Sequence, residues 1–167
     1  MINELYEKVV LFNELAGQPQ KFDAQTEVFW EWVEKQANLI KEELQETLDA
    51  IANRDLVEVL DGTLDVFVTN SGLMDILSKA KISVMVAGND VCNNNLSKMT
   101  QNPALAKKTV EEYDAQHVPC YVERKIVMDG IYPREWYTVR RVEDGKIMKP
   151  YGYQRVSLGK YVDGGSE

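Results

Sequence analysis

The stretch KEELQETLDAIANRDLVEVLDGTLD, residues 41–65, decides the fold of this chain. Apolar residues recur in it at intervals of three and four, the period of an amphipathic helix. The period extends over residues 28–51 and 56–77 and is interrupted at Asn53-Arg54-Asp55. Because Asp is a favoured N-cap, we expect Asp55 to begin a new helix. The stretch therefore predicts two long helices joined by a tight turn.

The flanking segments predict a helical bundle with an extension. A first helix runs from Ile2 until Ala16-Gly17-Gln18-Pro19 stops it, and a fourth spans Ile82 to Met99. After Asn102-Pro103 come a short helix, residues 104–113, and β-forming runs separated by turn signals such as Asp129-Gly130. We therefore predict an all-α four-helix bundle, domain 1–102, followed by a small C-terminal β-hairpin extension, domain 103–167.

The predicted third helix, over residues 56–77, is apolar around most of its circumference. A helix of this kind has to be covered on several sides. We expect it to be buried among several neighbouring helices or across a subunit interface.

Acidic residues cluster on the two central helices. They are Glu42, Glu43, Glu46 and Asp49 on one helix, and Asp55, Glu58, Asp61 and Asp65 on the other. If the two helices turn near residue 52, residues at equal height have numbers that sum to 104, which pairs Glu43 with Asp61 and Glu46 with Glu58. This register predicts four carboxylates at two adjacent levels.

Half-buried carboxylates at such spacing cannot all stay ionised without a compensating cation. Hard oxygen ligands suit Mg²⁺ or Mn²⁺, with open positions for water and phosphate oxygens. The alternative interpretation is that the acids form solvated helix faces, which is the usual meaning of a run of charges. The matched levels and apolar flanks favour the metal site.

Composition excludes several classes of partner. The net charge of -8 argues against a nucleic-acid partner, although residues 101–167 carry 11 Lys and Arg against 10 acids. No apolar run approaches the roughly 18 residues of a membrane span. The chain has two cysteines and no signal-peptide pattern, so we expect free thiols and a cytoplasmic location. Its single histidine, His117, excludes a zinc site built from histidines.

Four ordered segments resemble a known family. EELQE, an 11-residue gap and EVLD, together residues 42–61, resemble the EExxE…ExxD signature of the MazG-like all-α nucleoside triphosphate pyrophosphohydrolases. VVLFNELAGQP (9–19), CNNNLSKM (92–99) and EDGKIMKPYGY (143–153) resemble further segments of their phosphoribosyl-ATP-pyrophosphohydrolase-like branch, which is common in phages. Asn13 stands where that branch is expected to have a histidine.

The resemblance implies roles for individual residues. The implied metal ligands are Glu43, Glu46, Glu58 and Asp61. Glu42 is expected to support these ligands or to lie near a further metal, and Asp65 is expected to be a neighbouring acid that binds or orients. The implied substrate-binding residues are Asn13 at the base, Asn95 and Lys98 at the triphosphate, and Lys146, Lys149 and Tyr153 closing over the site.

The resemblance also implies an activity. The expected reaction is Mg²⁺-dependent hydrolysis of a nucleoside triphosphate to the monophosphate and pyrophosphate, with Mn²⁺ able to replace Mg²⁺. The expected role is removal of dUTP or a non-standard deoxynucleotide from the nucleotide pool by a homodimer or a dimer of dimers. The alternatives are phosphoribosyl-ATP hydrolysis and a non-catalytic acidic helical binding module.

Overall fold

The computed structural model describes residues 2–162, except the side chains of Ile2 and Asp129. Residues 163–167 of the predicted extension lie outside the described part. The elements are α1 (Ile2–Leu15), α2 (Glu27–Asn53), α3 (Leu56–Lys79), α4 (Val84–Leu96), β1 (Met99–Thr100), α5 (Pro103–Ala115), β2 (Cys120–Asp129), β3 (Tyr132–Arg141) and α6 (Gly159–Val162). Across residues 2–162, no helix is both long and apolar enough to span a membrane.

The chain forms two compact units. Of the described residues, the helical unit comprises 2–84 and 159–162, and the sheet unit comprises Met85–Leu158. The boundaries of these units differ from the predicted boundary between residues 102 and 103. The division into domains 1–102 and 103–167 stays a prediction.

Local capping sets the ends of the helices in the helical unit. The hydroxyl of Thr26 accepts a hydrogen bond from the backbone N–H of Phe29, at 3.3 Å, and begins α2. Arg54 takes a left-handed conformation, with φ 57°, and ends α2. The carboxylate of Asp55 accepts from the N–H groups of Val57 and Glu58, at 3.0 and 3.2 Å, which confirms it as the N-cap of α3.

The core of the helical unit lies away from the α2–α3 turn. Phe29 and Ile76 are 2% and 0% exposed, and Phe22 packs edge-on against Phe29 with ring centroids 6.1 Å apart. Near the turn the side chains of α3 are exposed, from Leu56 at 82% to Leu64 at 51%. The expectation that α3 is buried among several neighbours therefore holds only for its C-terminal half within one chain.

The sheet unit is built on a three-stranded antiparallel sheet in the order β1-β3-β2. β2 and β3 form the predicted hairpin, and Gly130, with φ 62°, takes the left-handed conformation that its turn requires. α5 packs against all three strands. The two-residue strand β1, which pairs Met99 with Thr138, was not predicted.

The four-helix bundle is not confirmed. α1, α2 and α3 pack together in the helical unit, whereas α4 belongs to the sheet unit except for Val84. α4 buries none of its side chains and carries Asn89, Asp90 and Asn93 through Asn95 on 13 residues. Within the described residues α4 therefore lacks the buried face that a bundle helix presents.

Candidate carboxylate site on the helical hairpin

The register of α2 against α3 is set by a close approach of their backbones. A Cβ on Gly62 would lie 2.5 Å from Thr47 Oγ1 and 3.2 Å from Thr47 Cα, and a Cβ on Gly72 would lie 2.8 Å from Gln36 Nε2. The numbers of these pairs sum to 109 and 108. The predicted register, with a sum of 104, is therefore wrong by about five residues of one helix, or about 7 Å.

The cause of the error is the position of the turn. α2 continues through Asn53, and Arg54 and Asp55 make the turn that was expected near residue 52. In the observed register, Glu43 of α2 lies at the same height as Asp65 and Val66 of α3. Glu43 and Asp61 are consequently not the level pair that the sequence suggested.

Glu43 lies at the centre of the acidic group. Its side chain is half-buried, and this partial loss of hydration raises the pKa of its carboxyl. The charges of neighbouring carboxylates raise that pKa further, in decreasing order Asp65, Glu46, Glu42 and Asp61. The structure thus brings five of the six predicted acids into one electrostatic group, and Asp65 acts on Glu43 more strongly than Asp61 does.

Glu58 stands apart from this group. It lies in the first turn of α3, is exposed, and is not among the carboxylates that raise the pKa of Glu43. Asp49 is likewise outside the group, and its carboxylate accepts a hydrogen bond from Gln45 Nε2 at 2.9 Å.

The acidic group carries uncompensated negative charge. Among residues 2–162, the ion pairs involve none of its five members. The described residues contain no set of three or more His, Cys, Asp or Glu side chains gathered closely enough to hold a metal ion. The carboxylates therefore suit a cation by charge and donor type, and a cation would have to draw them together.

Asn13 has an unusual environment. Its Nδ2 atom is buried and has no hydrogen-bond partner in the described part of the chain. The atom lies 3.3 Å from where a Cβ on Gly72 would be, beside Gln36, which itself donates to Thr69 O at 2.8 Å. A buried donor without an acceptor costs free energy, so the Asn13 amide destabilises this packing unless an acceptor reaches it.

The remaining predicted residues lie in the sheet unit, where Lys98 contacts Asn95 and Lys149 contacts Tyr153. Lys98 Nζ donates to Asn95 Oδ1 at 2.8 Å. Tyr153 donates from its hydroxyl to Asn94 Oδ1 at 2.5 Å, and the ammonium of Lys149 lies 5.4 Å from the centroid of the Tyr153 ring. Lys146 is exposed, and its backbone N–H donates to the Asp144 carboxylate at 3.1 Å.

Asn94 is a residue that the sequence analysis missed. Its Oδ1 accepts a hydrogen bond from the Tyr153 hydroxyl, and its Nδ2 donates to Gln154 O at 2.7 Å. Asn94 therefore holds the segment at Tyr153 and Gln154 against α4, next to Asn95. The signal was present in the run Asn93-Asn94-Asn95, but the sequence offers no reason to choose among the three.

Asp75 is a buried acid with a structural role. It is 4% exposed and accepts hydrogen bonds from Gln18 Nε2 at 2.6 Å and Lys79 Nζ at 2.9 Å. These bonds hold the segment after α1 against α3. Partial burial, with the nearby charge of Asp75 as a smaller contribution, raises the pKa of Tyr6, although a side-chain hydrogen bond with Ser78 opposes the shift.

Comparison with known proteins finds one family model that matches part of the chain. Residues 11–77 match the family model of phosphoribosyl-ATP pyrophosphohydrolase, which belongs to the MazG-like all-α pyrophosphohydrolase superfamily. The resemblance found in the sequence is thereby confirmed for a segment that contains Asn13 and all six predicted acids. Neither the curated proteins nor the solved structures gave a match.

Proposed function

We propose, from the premise that residues 11–77 form a pyrophosphohydrolase segment of the MazG-like superfamily, that this chain is a Mg²⁺-dependent nucleoside triphosphate pyrophosphohydrolase. The reaction hydrolyses the anhydride between the first and second phosphates and yields a nucleoside monophosphate and pyrophosphate. The observation that carries the proposal is the uncompensated group of carboxylates around half-buried Glu43. An anionic triphosphate can approach such a group only if a cation offsets its charge.

The donor set fits magnesium. The residues that would hold the ion are Glu43, Glu46, Asp61 and Asp65, with Glu42 behind them and Glu58 one turn before Asp61. When bound, the ion neutralises phosphate oxygens and lowers the pKa of a coordinated water. Mn²⁺ takes the same oxygen ligands and should replace Mg²⁺.

Asn95 and Lys98 are proposed to bind the phosphates. Because Lys98 Nζ donates to Asn95 Oδ1, it fixes the orientation of the Asn95 amide and leaves Asn95 Nδ2 free to donate elsewhere. A Lys ammonium and an amide N–H are both suitable donors to the oxygens of a leaving pyrophosphate. Lys146, Lys149 and Tyr153 are also proposed as substrate-binding residues.

Asn13 is proposed to contact the nucleobase. Its Nδ2 lacks an acceptor within the described residues, and it would donate to a base carbonyl once the side chains around it, such as Gln36, move aside. Gly72, beside this atom, is seven residues from Asp65 on α3, a separation of about 10 Å along the helix. That separation allows one nucleotide to reach both places. We propose dUTP or a non-standard deoxynucleotide as substrate, in nucleotide-pool cleaning.

A homodimer, or a dimer of dimers, is proposed as the working form. Near the α2–α3 turn the exposed apolar residues include Leu48, Ile51, Leu56, Val57 and Leu60, each at least 50% exposed. Contiguous exposed apolar surface on a helical pair is typical of a subunit interface. The free cysteines Cys92 and Cys120 support a cytoplasmic location. Light scattering coupled to gel filtration would test the assembly.

The decisive experiment is a nucleotide panel. The protein is incubated with Mg²⁺ and each of dUTP, the standard deoxynucleotides, oxidised deoxynucleotides and phosphoribosyl-ATP, and pyrophosphate and orthophosphate are measured separately. We expect pyrophosphate from one substrate class, none in EDTA, and none from Glu43→Gln. Asp49→Asn, which removes an acid of α2 outside the group, should retain activity.

Other results would contradict the proposal. Full activity after exhaustive chelation would exclude the metal site, and orthophosphate as the product would exclude a pyrophosphohydrolase. Magnesium binding without turnover of any nucleotide would favour the non-catalytic acidic module.

A further inference from the structure

A concave site outside the proposed active site lies on one face of the sheet unit. Its volume is about 350 Å³. The cleft is mainly apolar, because Leu96, Met99, Val127 and Trp136 line it. It also contains two cations, Lys125 and Arg140. Clefts of this size and lining, with a few polar groups, are typical of small-molecule sites.

The antiparallel register places these side chains on one face. Trp136 pairs with Lys125, and Thr138 pairs with Met99, so both pairs face the same side because alternate residues of β3 share a face. The cleft therefore lies on the sheet face that carries Trp136, Thr138 and Arg140.

The charge in the cleft is positive. Arg140 Nε donates to Glu123 Oε2 at 2.6 Å, and Lys125 Nζ lies 3.3 Å from Glu123 Oε1. Two cations thus share one carboxylate, which leaves one positive charge over. Arg140 Nη1 donates to Gly145 O at 2.8 Å, and no hydrogen bond of the described residues uses Nη2.

We propose that this cleft binds a compact aromatic anion, a flat ring that carries one phosphate or carboxylate. The ring packs against the Trp136 indole over the apolar floor of Leu96 and Met99, since aromatic rings favour stacked or edge-to-face contact. The anionic group accepts from Arg140 Nη2 and Lys125 Nζ, which gives charge-assisted hydrogen bonds. This site is independent of the proposed hydrolytic function.

The indole N–H resonances of the protein report on the site. The chain has three tryptophans, so a ¹⁵N-labelled sample gives three indole signals, and Trp136→Phe identifies that of Trp136. The complete probes are phenyl phosphate, phenylacetate and AMP, all measured in EDTA. Inorganic phosphate, which has the anionic group alone, and phenol, which has the ring alone, serve as half-ligands. We expect saturable shifts of the Trp136 signal with the complete probes, at least about tenfold weaker binding of each half-ligand, and little change at Trp30 and Trp32. Tighter binding of phenyl phosphate or of phenylacetate identifies the anionic group.

Two charge-matched variants test the cations. Arg140→Met should weaken phenyl phosphate binding by about tenfold or more, as expected for loss of one charge-assisted hydrogen bond. Arg124→Met removes an arginine of the same hairpin on the opposite face, where it pairs with Glu135, and should bind within about twofold of the unaltered protein. Because Arg140 also contacts Glu123 and Gly145, Lys125→Met provides a second test if Arg140→Met unfolds.

Three results would overturn the proposal. They are a Trp136 signal that does not saturate, equal shifts at all three tryptophans, and equal losses in the Arg140 and Arg124 variants.

Discussion

Gly62→Ala is expected to destabilise the protein although alanine favours a helix. Gly62 is buried in α3, where its added Cβ would lie 3.2 Å from the backbone Cα of Thr47 and 2.5 Å from Thr47 Oγ1. The hydroxyl could rotate, but the two helices must separate to relieve the contact with the backbone. Such overpacking costs about 1–3 kcal/mol, while alanine recovers up to about 1 kcal/mol in a helix interior.

Gly88→Ala is the matched control. Gly88 lies within α4, and its added Cβ would meet no atom within 4 Å. This variant gains helix propensity without overpacking and should be more stable by about 0.5–1 kcal/mol. The difference between the two variants isolates the overpacking cost, which predicts a separation in melting temperature of roughly 2–12 °C.

The assay is thermal and urea unfolding followed by circular dichroism at 222 nm, with pyrophosphate release measured on the same samples. Separation of α2 from α3 would also move Glu43 away from Asp65, so Gly62→Ala should lose activity and Gly88→Ala should not. Thr47→Ala in the Gly62→Ala background should recover part of the stability, because it removes the nearest atom. A Gly62→Ala protein as stable as Gly88→Ala would refute the close approach and the register derived from it.

Three further results are expected. Mg²⁺ should raise the melting temperature less in Asp65→Asn than in Glu58→Gln, because the charge of Asp65 raises the pKa of Glu43 and that of Glu58 does not. The reverse order would favour the register deduced from the sequence, in which Glu58 is a metal ligand. Lys98→Ala should lower turnover roughly a hundredfold and leave the melting temperature nearly unchanged, whereas unaltered turnover with lower stability would make Lys98 a structural residue. Cys92 is exposed and should react with iodoacetamide before Cys120, whose thiol pKa is raised by partial burial; mass spectrometry of samples quenched over time at pH 8 would show the order.

The sequence by itself determined the local structure. The N-caps Thr26 and Asp55 and the turn at Gly130 act through hydrogen bonds and backbone preferences of a few adjacent residues, so the starts of α2 and α3 and the turn of the hairpin follow from the sequence. The end of α2 did not, because the turn expected near residue 52 lies at Arg54 and Asp55. The acids of α2 and α3 were also found by sequence, because helical periodicity fixes the direction of each side chain around its own axis.

Only the tertiary structure decided how these elements meet. Periodicity leaves the height of one helix against another undetermined, and that height was set by Thr47 packing onto Gly62, which brought Asp65 to Glu43. β1 exists only because β3 supplies its hydrogen-bond partners. The cleft beside Trp136 joins residues of α4, β2 and β3, from Leu96 to Arg140, which come together only through the strand register. Contacts between residues distant in sequence depend on how side chains fill space, and a pattern along one chain does not contain that information.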